Sequence, residues 1–147
     1  LYDTMSSHEP FMQRALALAR RGEGLTRPNP PVGAVLVQNG KIISEGFHKK
    51  AGGPHAEVNC LKTVSGNLES AILYVTLEPC AMCAGAISFA RLERLYFAAA
   101  DPKGGGVDHG GRFFNQPTCH HAPQVYSGIG EAHASEILKD FFKSKRI

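Results

Sequence analysis

Residues 71–100 read AILYVTLEPCAMCAGAISFARLERLYFAAA, and this stretch decides the fold. Continuous apolar runs at 71–77 and 94–100 predict two buried strands. Between them, the segment from Cys80 to about Phe89 predicts a helix. Strands that alternate with helices in this way indicate the α/β class, with a sheet that is partly parallel.

Upstream of this stretch, the sequence predicts a β-hairpin. VGAVLV at 32–37 and KIISEGF at 41–47 are β-rich runs, and Asn39-Gly40 between them is a strong signal for a tight turn. The segment TRPNPP before the hairpin is expected to be a stiff loop, because its prolines fit neither a helix nor a central strand.

Three further helices and one long loop complete the outline. The first helix is expected over 7–22, with Ser7 as its cap and Pro10 in its first turn. The second should begin near His55, and the last, over 131–146, is amphipathic. The loop at 101–111, DPKGGGVDHGG, is rich in glycine but lacks the spacing of a phosphate-binding loop.

Length and composition narrow the class of protein. A chain of 147 residues has the size of one domain, so we expect a single domain over 1–147. No stretch approaches membrane-spanning length, and the start LYDTMSSHEPFMQ lacks the features of a signal peptide. Four cysteines without such a signal favour a reducing compartment, and we expect a cytoplasmic protein with no membrane partner. The net charge of +3 permits a nucleic-acid partner without arguing for one.

Three residues have the types and spacing of a catalytic zinc site. His55 lies in GGPHAEVNC (52–60), and Cys80 and Cys83 form a Cys-x-x-Cys pair at the start of a predicted helix. This spacing puts both sulfurs on one side of the helix, and its positive end favours thiolate over thiol. One nitrogen and two sulfurs leave the fourth position of a tetrahedral zinc ion open for water. We therefore predict one zinc ion per chain, bound by these three residues.

Glu57 stands two residues after His55 and completes the pattern. At this spacing its carboxylate can reach the water without binding the metal, take a proton and hand it to a leaving amine. His-x-Glu followed by Pro-Cys-x-x-Cys is typical of zinc enzymes that deaminate nucleobases. The motif predicts hydrolytic deamination with Glu57 as general acid and base. A structural zinc site and a redox Cys-x-x-Cys pair are the alternatives.

The remaining cysteines and several loop histidines carry weaker signals. Cys60 falls inside the helix after Glu57 and is expected in the core. Cys119 could join a structural zinc site, but no second Cys-x-x-Cys pair accompanies it. His109, His120 and His121 could bind a phosphate or line the pocket, but histidines in loops are usually solvated, and this is the expectation.

From about Leu73 to its end, the chain closely resembles the bacterial tRNA adenosine deaminases (TadA-like). The matching segments are LYVTLEPCAMCAGAISFARLERLYFAAADPKGGG, FFNQPTCHHAPQVYSGI and SEILKDFFKSKR. The resemblance implies a three-layer α/β/α cytidine-deaminase-like fold with a mixed five-stranded sheet. It also implies a homodimer that acts on the anticodon stem-loop of a tRNA.

The first half is similar to a second family, the deaminase domain of riboflavin-biosynthesis proteins (RibD-like). PNPPVG at 28–33 and GFHKKAGGPHAEV at 46–58 carry this similarity. RibD-like proteins have a much longer gap between their zinc cysteines, and TadA-like proteins usually have Asn where this chain has His48. We therefore interpret the chain as a mosaic, natural or engineered, joined near LYVTLEPC.

The two resemblances imply different substrate contacts. Asn29 resembles a RibD-like contact, His48 replaces the base-binding Asn of the TadA-like family, and Asp101 and Lys103 match TadA-like positions near the nucleic-acid backbone. A plain turn residue at Asn29 and an exposed strand-end residue at His48 are the alternatives. The expected substrate-binding residues are Asn29, Val32, His48, Ala56, Pro79, Asp101 and Lys103.

Three functional hypotheses follow. The first is a zinc-dependent deaminase that converts adenosine to inosine in the tRNA anticodon loop. The second is RibD-like deamination of a diaminopyrimidine ribosyl phosphate, a small nucleotide. The third is a catalytically silent, zinc-containing RNA-binding protein. If the substrate is RNA, the cations of the last helix would contact its phosphates. Otherwise they complement the helix dipole. These cations are Lys139, Lys143, Lys145 and Arg146.

Overall fold

This computed structural model describes residues 5–145, which form four α-helices and five strands. In chain order the elements are α1 (Met5–Arg21), β1 (Gly33–Gln38), β2 (Lys41–Phe47), α2 (Ala56–Leu61), β3 (Ile72–Leu77), α3 (Ala81–Phe89), β4 (Arg94–Ala99), β5 (Gln124–Ser127) and α4 (Glu131–Lys145). A short 3₁₀ helix, Phe113–Asn115, precedes β5. Every helix and strand predicted from the residues is present, within two residues of its expected bounds.

The five strands form one mixed sheet in the order β2-β1-β3-β4-β5. β1 pairs antiparallel with β2 and with β3. β3 and β4 are parallel, as are β4 and β5. The mixed five-stranded sheet implied by the family resemblance is confirmed, and so is the parallel crossover predicted from residues 71–100.

Helices cover both faces of the sheet, which gives the expected three layers. Successive residues of a strand point to opposite faces, and β1 shows this alternation clearly. Val35 and Val37 belong to the apolar cluster that includes α1 and α4. Ala34 and Leu36 belong to the cluster that includes α2 and α3. Because both faces of β1 are covered by helices, its sequence is a continuous apolar run rather than an alternating one.

The hairpin turn follows the sequence prediction closely. Asn39 and Gly40 have φ angles of 53° and 74°, both in the left-handed region. Two positive φ angles are the requirement of the tight turn whose twist matches that of the flanking strands, and Asn-Gly satisfies it. The turn therefore fixes the pairing of β1 with β2.

One boundary differs from the prediction, and one strand was not predicted from the residues. α1 already includes Met5, two residues before the predicted cap at Ser7. His8 in this first part of the helix is buried and its ring contacts the hydroxyls of Tyr74 and Tyr96, so tertiary contacts hold the turn that precedes Pro10. β5 was expected from the resemblance alone, since its sequence QVYS is short and mostly exposed.

The sheet topology decides where side chains can meet. β3 ends at Leu77 and β4 at Ala99, and these carboxyl ends lie next to each other because the strands are parallel. In open α/β sheets, ligands bind in the crevice outside the carboxyl ends of the strands. Cys80 follows one of these ends and Asp101 follows the other. Among the described residues, no helix is both long enough and apolar enough to cross a membrane.

Candidate active site and metal centre

Two helix N-termini bring the predicted zinc ligands together. His55 is the N-cap residue of α2, and Cys80 is the N-cap residue of α3. Both have extended backbones, with φ and ψ of −71° and 165° for His55 and −71° and 173° for Cys80. Cys83 lies on the first turn of α3, so its sulfur faces the same side as that of Cys80. The ligand atoms of these three residues all lie within 4.8 Å of one another.

The distances between the ligand atoms fit a tetrahedral zinc ion. His55 Nδ1 lies 3.6 Å from Cys80 Sγ and 3.5 Å from Cys83 Sγ. Zinc bonds of about 2.3 Å to sulfur and about 2.0–2.1 Å to nitrogen, at a tetrahedral angle, place the two ligand atoms roughly 3.6 Å apart. The three side chains therefore have the chemistry and the spacing of a zinc site with one open position.

The two thiols differ in acidity because they share a hydrogen bond. The Cys83 thiol donates to Cys80, which lowers the pKa of Cys80 to about 5. The same hydrogen bond, together with burial, raises the pKa of Cys83 above its ordinary range. Thiolates are the form that binds metal, so the arrangement already favours one of the two charged ligands.

Glu57 lies on the first turn of α2 and lines the same pocket as His55. Only 4% of the residue is exposed. Burial raises the pKa of Glu57 to about 7, and the negative charge of Cys80 acts in the same direction. A carboxyl group with such a pKa can both accept and release a proton near neutral pH.

A pocket of about 250 Å³ surrounds this centre. Drug-sized ligands occupy pockets of about 300–1,000 Å³, so the space suits one small ring system. Five of the seven predicted substrate-binding residues line it: Asn29, Val32, His48, Ala56 and Asp101. The other two do not line it: Pro79 is buried, and Lys103 is exposed on the loop after β4.

His48 is enclosed rather than exposed at a strand end. It is only 2% exposed, and its Nδ1 lies 3.0 Å from the carbonyl oxygen of Pro54. Because a carbonyl can only accept, the neutral ring carries its proton on Nδ1, and Nε2 is left as an acceptor. The side-chain amide of Asn29 donates to that Nε2 at 3.2 Å. Both ring nitrogens of His48 are therefore engaged within the protein.

Four lining residues were not predicted from the sequence: Pro30, Leu77, Glu78 and Gly104. Glu78 is the most informative of them, because its carboxylate accepts hydrogen bonds from the loop after β4. The signal for Glu78 in the sequence was a glutamate directly after a predicted buried strand. Its partners lie about thirty residues away, for example His109 at a separation of 31, and no local pattern reveals them.

The leftover cysteines and histidines lie outside the metal centre. Cys60 is fully buried in the core, as expected, and burial raises its pKa to about 12. Cys119 contacts Ser88 and the carbonyl of His121, and within residues 5–145 the metal-binding group contains three side chains without it. His109 binds Glu78 and His120 stacks on Phe89, so these loop histidines have structural partners.

The cations of the last helix are exposed where the structure describes them. Lys139 and Lys143 are on the surface of α4. Arg146 lies outside the described residues, and the side chain of Lys145 is also outside them.

Comparison with known proteins places this site in a family. Residues 5–99 match the family model described as the cytidine and deoxycytidylate deaminase zinc-binding region. A tRNA-specific adenosine deaminase from Agrobacterium fabrum is 48% identical over 153 aligned residues, which cover 97% of this chain and 99% of that protein. The match spans the metal ligands and both sequence halves.

Solved structures give the same relationship in three dimensions. A structure from a study of A-to-I editing by tRNA:A34 deaminases has a TM-score of 0.74 and 48% identity, and the match covers 87% of this chain and 98% of that one. A diaminohydroxyphosphoribosylaminopyrimidine deaminase/5-amino-6-(5-phosphoribosylamino)uracil reductase from Thermotoga maritima has a TM-score of 0.82 and 36% identity. That match covers 95% of this chain but 41% of the other.

Proposed function

The chain belongs to the cytidine and deoxycytidylate deaminase family, and from that premise we propose that it converts adenosine to inosine in the anticodon loop of a tRNA. The observation that carries the proposal is that His55, Cys80 and Cys83 form one metal-binding group, and that the buried Glu57 lines the same small pocket as His55 and Cys80. Similarity to a tRNA-specific adenosine deaminase along almost the whole chain supports this substrate over other nucleobases.

The chemistry is a hydrolysis in which water replaces the amino group and ammonia leaves. Zinc held by His55, Cys80 and Cys83 would supply a bound water whose pKa falls toward about 7. Glu57 lies in the pocket beside His55 and is not one of the ligands. We assign to it the transfer of a proton from the water to the leaving amine.

In this proposal, Asn29 rather than His48 binds the base. His48 uses both ring nitrogens within the protein, whereas the Asn29 amide keeps its carbonyl oxygen and one N–H for a ligand. An Asn amide matches the N6 and N7 edge of adenine, where one group donates and the other accepts. Val32 and Ala56 would supply apolar walls, and Asp101 would stand at the rim.

Contacts with the rest of the RNA would come from exposed cations. Lys103 on the loop after β4 and Lys139 and Lys143 on α4 are exposed. Phosphate contacts of this kind supply affinity that falls as salt concentration rises. A tRNA substrate would also place the protein in the cytoplasm.

A homodimer is part of the proposal, and the outer face of α3 supports it. Met82 is 60% exposed and Phe89 is 71% exposed on this helix, with the small residues Gly85 and Ala86 between them. Large exposed apolar side chains on one face mark interaction sites. We therefore place the dimer contact on α3, close to the metal centre.

The second candidate function is deamination of a diaminopyrimidine ribosyl phosphate. The contact between Asn29 and His48 favours it, since both residues come from the half that resembles the RibD-like family. Similarity to the T. maritima deaminase/reductase, at 36% identity, also supports it. This chain spans about two-fifths of that protein.

One substrate screen separates the hypotheses. Zinc-loaded protein is incubated with an anticodon stem-loop, single-stranded DNA, free nucleosides and the riboflavin intermediate, and released ammonia is measured. The proposal expects the stem-loop to be deaminated with the highest kcat/KM. Turnover of the riboflavin intermediate alone would support the second candidate, and no turnover of any substrate would support a silent RNA-binding protein.

A further inference from the structure

The loop at 101–111 converges on one carboxylate. The backbone N–H groups of Asp101, Val107, Asp108 and His109 donate to the Glu78 side chain at 3.1, 3.2, 3.0 and 3.1 Å. The ring of His109 adds a contact of 2.7 Å between Nδ1 and Oε1. Three successive N–H groups that point to one oxygen form an anion-binding nest. Here the anion belongs to the protein itself.

Glu78 is costly to bury unless these contacts are made. Its side chain has no exposed surface. The four backbone N–H groups of the loop compensate for this burial, because each donates to the carboxylate. The carboxylate and the N–H groups therefore depend on each other, because either would be left unsatisfied without its partner.

The same loop packs directly on the turn that carries the zinc ligand Cys80. Gly106 N–H donates to the carbonyl of Pro79 at 2.8 Å. A Cβ atom on Gly106 would lie 2.6 Å from the backbone nitrogen of Ala81, and one on Gly105 would collide with the Glu78 carboxylate. Glycine is required at these two positions because the backbone approaches so closely.

The other side of the loop faces the substrate pocket. Asp101 and Gly104 line the pocket from the loop after β4, whereas Asn29 and His48 line it from the first half of the chain. Gly104 N–H also donates to the Asp101 carboxylate at 2.9 Å. The position of this wall therefore depends on how the loop is anchored.

We propose that Glu78 is a positioning residue for deamination: it is the internal anion that holds the 101–111 loop against the metal turn, so that Asp101 and Gly104 form the pocket wall. The inference rests on the proposed function for its kinetic consequences. It also explains why a glycine-rich loop without phosphate-loop spacing has N–H groups arranged for an anion. The nest is filled from within and is not available to a phosphate of the substrate.

The test removes the Glu78 carboxylate by mutation and then supplies acetate from solution in its place. Glu78→Ala deletes a methylene and a carboxylate, which are the atoms of acetate apart from one hydrogen. The variant should retain its zinc while KM for the stem-loop rises by at least about tenfold, which corresponds to a loss of about 1.4 kcal/mol in binding, because the pocket wall formed by Asp101 and Gly104 loses its anchor. Acetate should restore KM, whereas acetamide at equal concentration and sodium chloride at equal ionic strength should not.

Glu69→Ala is the matched control, because Glu69 is an exposed carboxylate near the other end of β3. Its KM should equal that of the unmodified chain, with or without acetate. Glu78→Asp keeps the charge on a shorter side chain and should recover part of the loss. An unchanged KM in Glu78→Ala, a loss that acetate does not reverse, or loss of zinc together with activity would each overturn the proposal.

Hydrogen exchange gives a readout that does not require turnover. In Glu78→Gln, the backbone amides of Val107, Asp108 and His109 should exchange faster than in the unmodified chain, because a neutral amide group cannot accept from all of them. Unchanged protection of these amides would overturn the inference. If the unmodified chain deaminates no RNA but these amides lose protection, the proposed function fails and the anchoring role of Glu78 stands.

Discussion

Two buried glutamates in this site have pKa values displaced in opposite directions. Burial raises the pKa of Glu57 to about 7, whereas N–H donors hold the pKa of Glu78 below its ordinary value. Environments that separate the pKa values of similar groups mark a division of roles. Glu57 is placed to exchange a proton, and Glu78 is placed to remain charged and fix a loop.

Replacement of Glu57 by Gln removes the proton carrier and keeps the shape of the side chain. We expect deamination to fall by at least about 100-fold, in the range that general acid–base catalysis contributes. Zinc content should stay equal to that of the unmodified chain, because Glu57 is not a ligand. Inosine formation and metal analysis on the same samples check this, and unchanged turnover would contradict the assigned role.

Replacement of Cys83 by Ser removes one zinc ligand. The variant should hold less zinc and unfold at a lower temperature, because metal binding to the folded protein contributes to its stability. Cys119→Ser is the matched control, since Cys119 lies outside the metal-binding group. Metal analysis and thermal unfolding provide the measurements. Equal zinc content in the two variants would show that the ligand set is wrong.

Removal of N7 from the substrate adenine tests the role of the Asn29 amide. A stem-loop with 7-deazaadenosine lacks the N7 acceptor and should react about fivefold more slowly, which corresponds to one neutral hydrogen bond of about 1 kcal/mol. In Asn29→Ala the two substrates should react equally, because the N–H that reads N7 is gone. A 7-deaza effect that persists in this variant would assign N7 recognition to another residue.

At the scale of single residues, the sequence predicts the metal ligands and Glu57 better than it predicts how the pocket residues are arranged. His55, Glu57, Cys80 and Cys83 form short local patterns whose spacing has a direct chemical meaning. The enclosure of His48 could not be predicted, because it depends on Asn29 and Pro54 in separate loops.

At the scale of elements, the predictions succeed where a local rule applies. Asn39-Gly40 predicts its turn because positive φ angles favour these residues. The start of α1 was placed two residues late, since the contacts of His8 with β3 and β4 are remote in sequence. The polar strand β5 has no apolar run, and its place in the sheet depends on pairing with β4.

Tyr74→Phe tests how α1 is fixed to the sheet. His8 Nδ1 and the Tyr74 hydroxyl are 2.5 Å apart and both residues are buried. Loss of the hydroxyl should lower the free energy of unfolding by about 1–3 kcal/mol, the cost of an unsatisfied buried polar group. Tyr126→Phe, on the exposed edge strand in register with Tyr96, should change it far less. Denaturant unfolding measures both, and equal values would contradict this view of α1.

At the scale of the whole molecule, parallel pairing of β3 with β4 brings the site together. The loops after these strands carry Cys80 and Asp101, and α2 brings His55 and Glu57 to the same edge. The α/β class and the partly parallel sheet followed from residues 71–100, the number of strands came from the family resemblance, and the strand order was not predicted. The mosaic origin and the single domain stay predictions.

Phe89→Glu tests the proposed dimer. A charge on the exposed apolar face of α3 should convert the dimer to a monomer, because burying an unpaired carboxylate in an interface is strongly unfavourable. Leu25→Glu is the control, since Leu25 is 61% exposed and belongs to the loop after α1 rather than to α3. Light scattering after size-exclusion chromatography gives the masses. A Phe89→Glu variant that remains dimeric would move the interface elsewhere.

The most direct test of the account follows the oxygen atom. Zinc-loaded protein is incubated with the anticodon stem-loop in ¹⁸O-labelled water, and the nucleosides are analysed by mass spectrometry. The account predicts inosine that carries the label at C6, with an equal amount of ammonia and no product from Glu57→Gln. Unlabelled inosine, or no inosine from a zinc-replete protein, would contradict it.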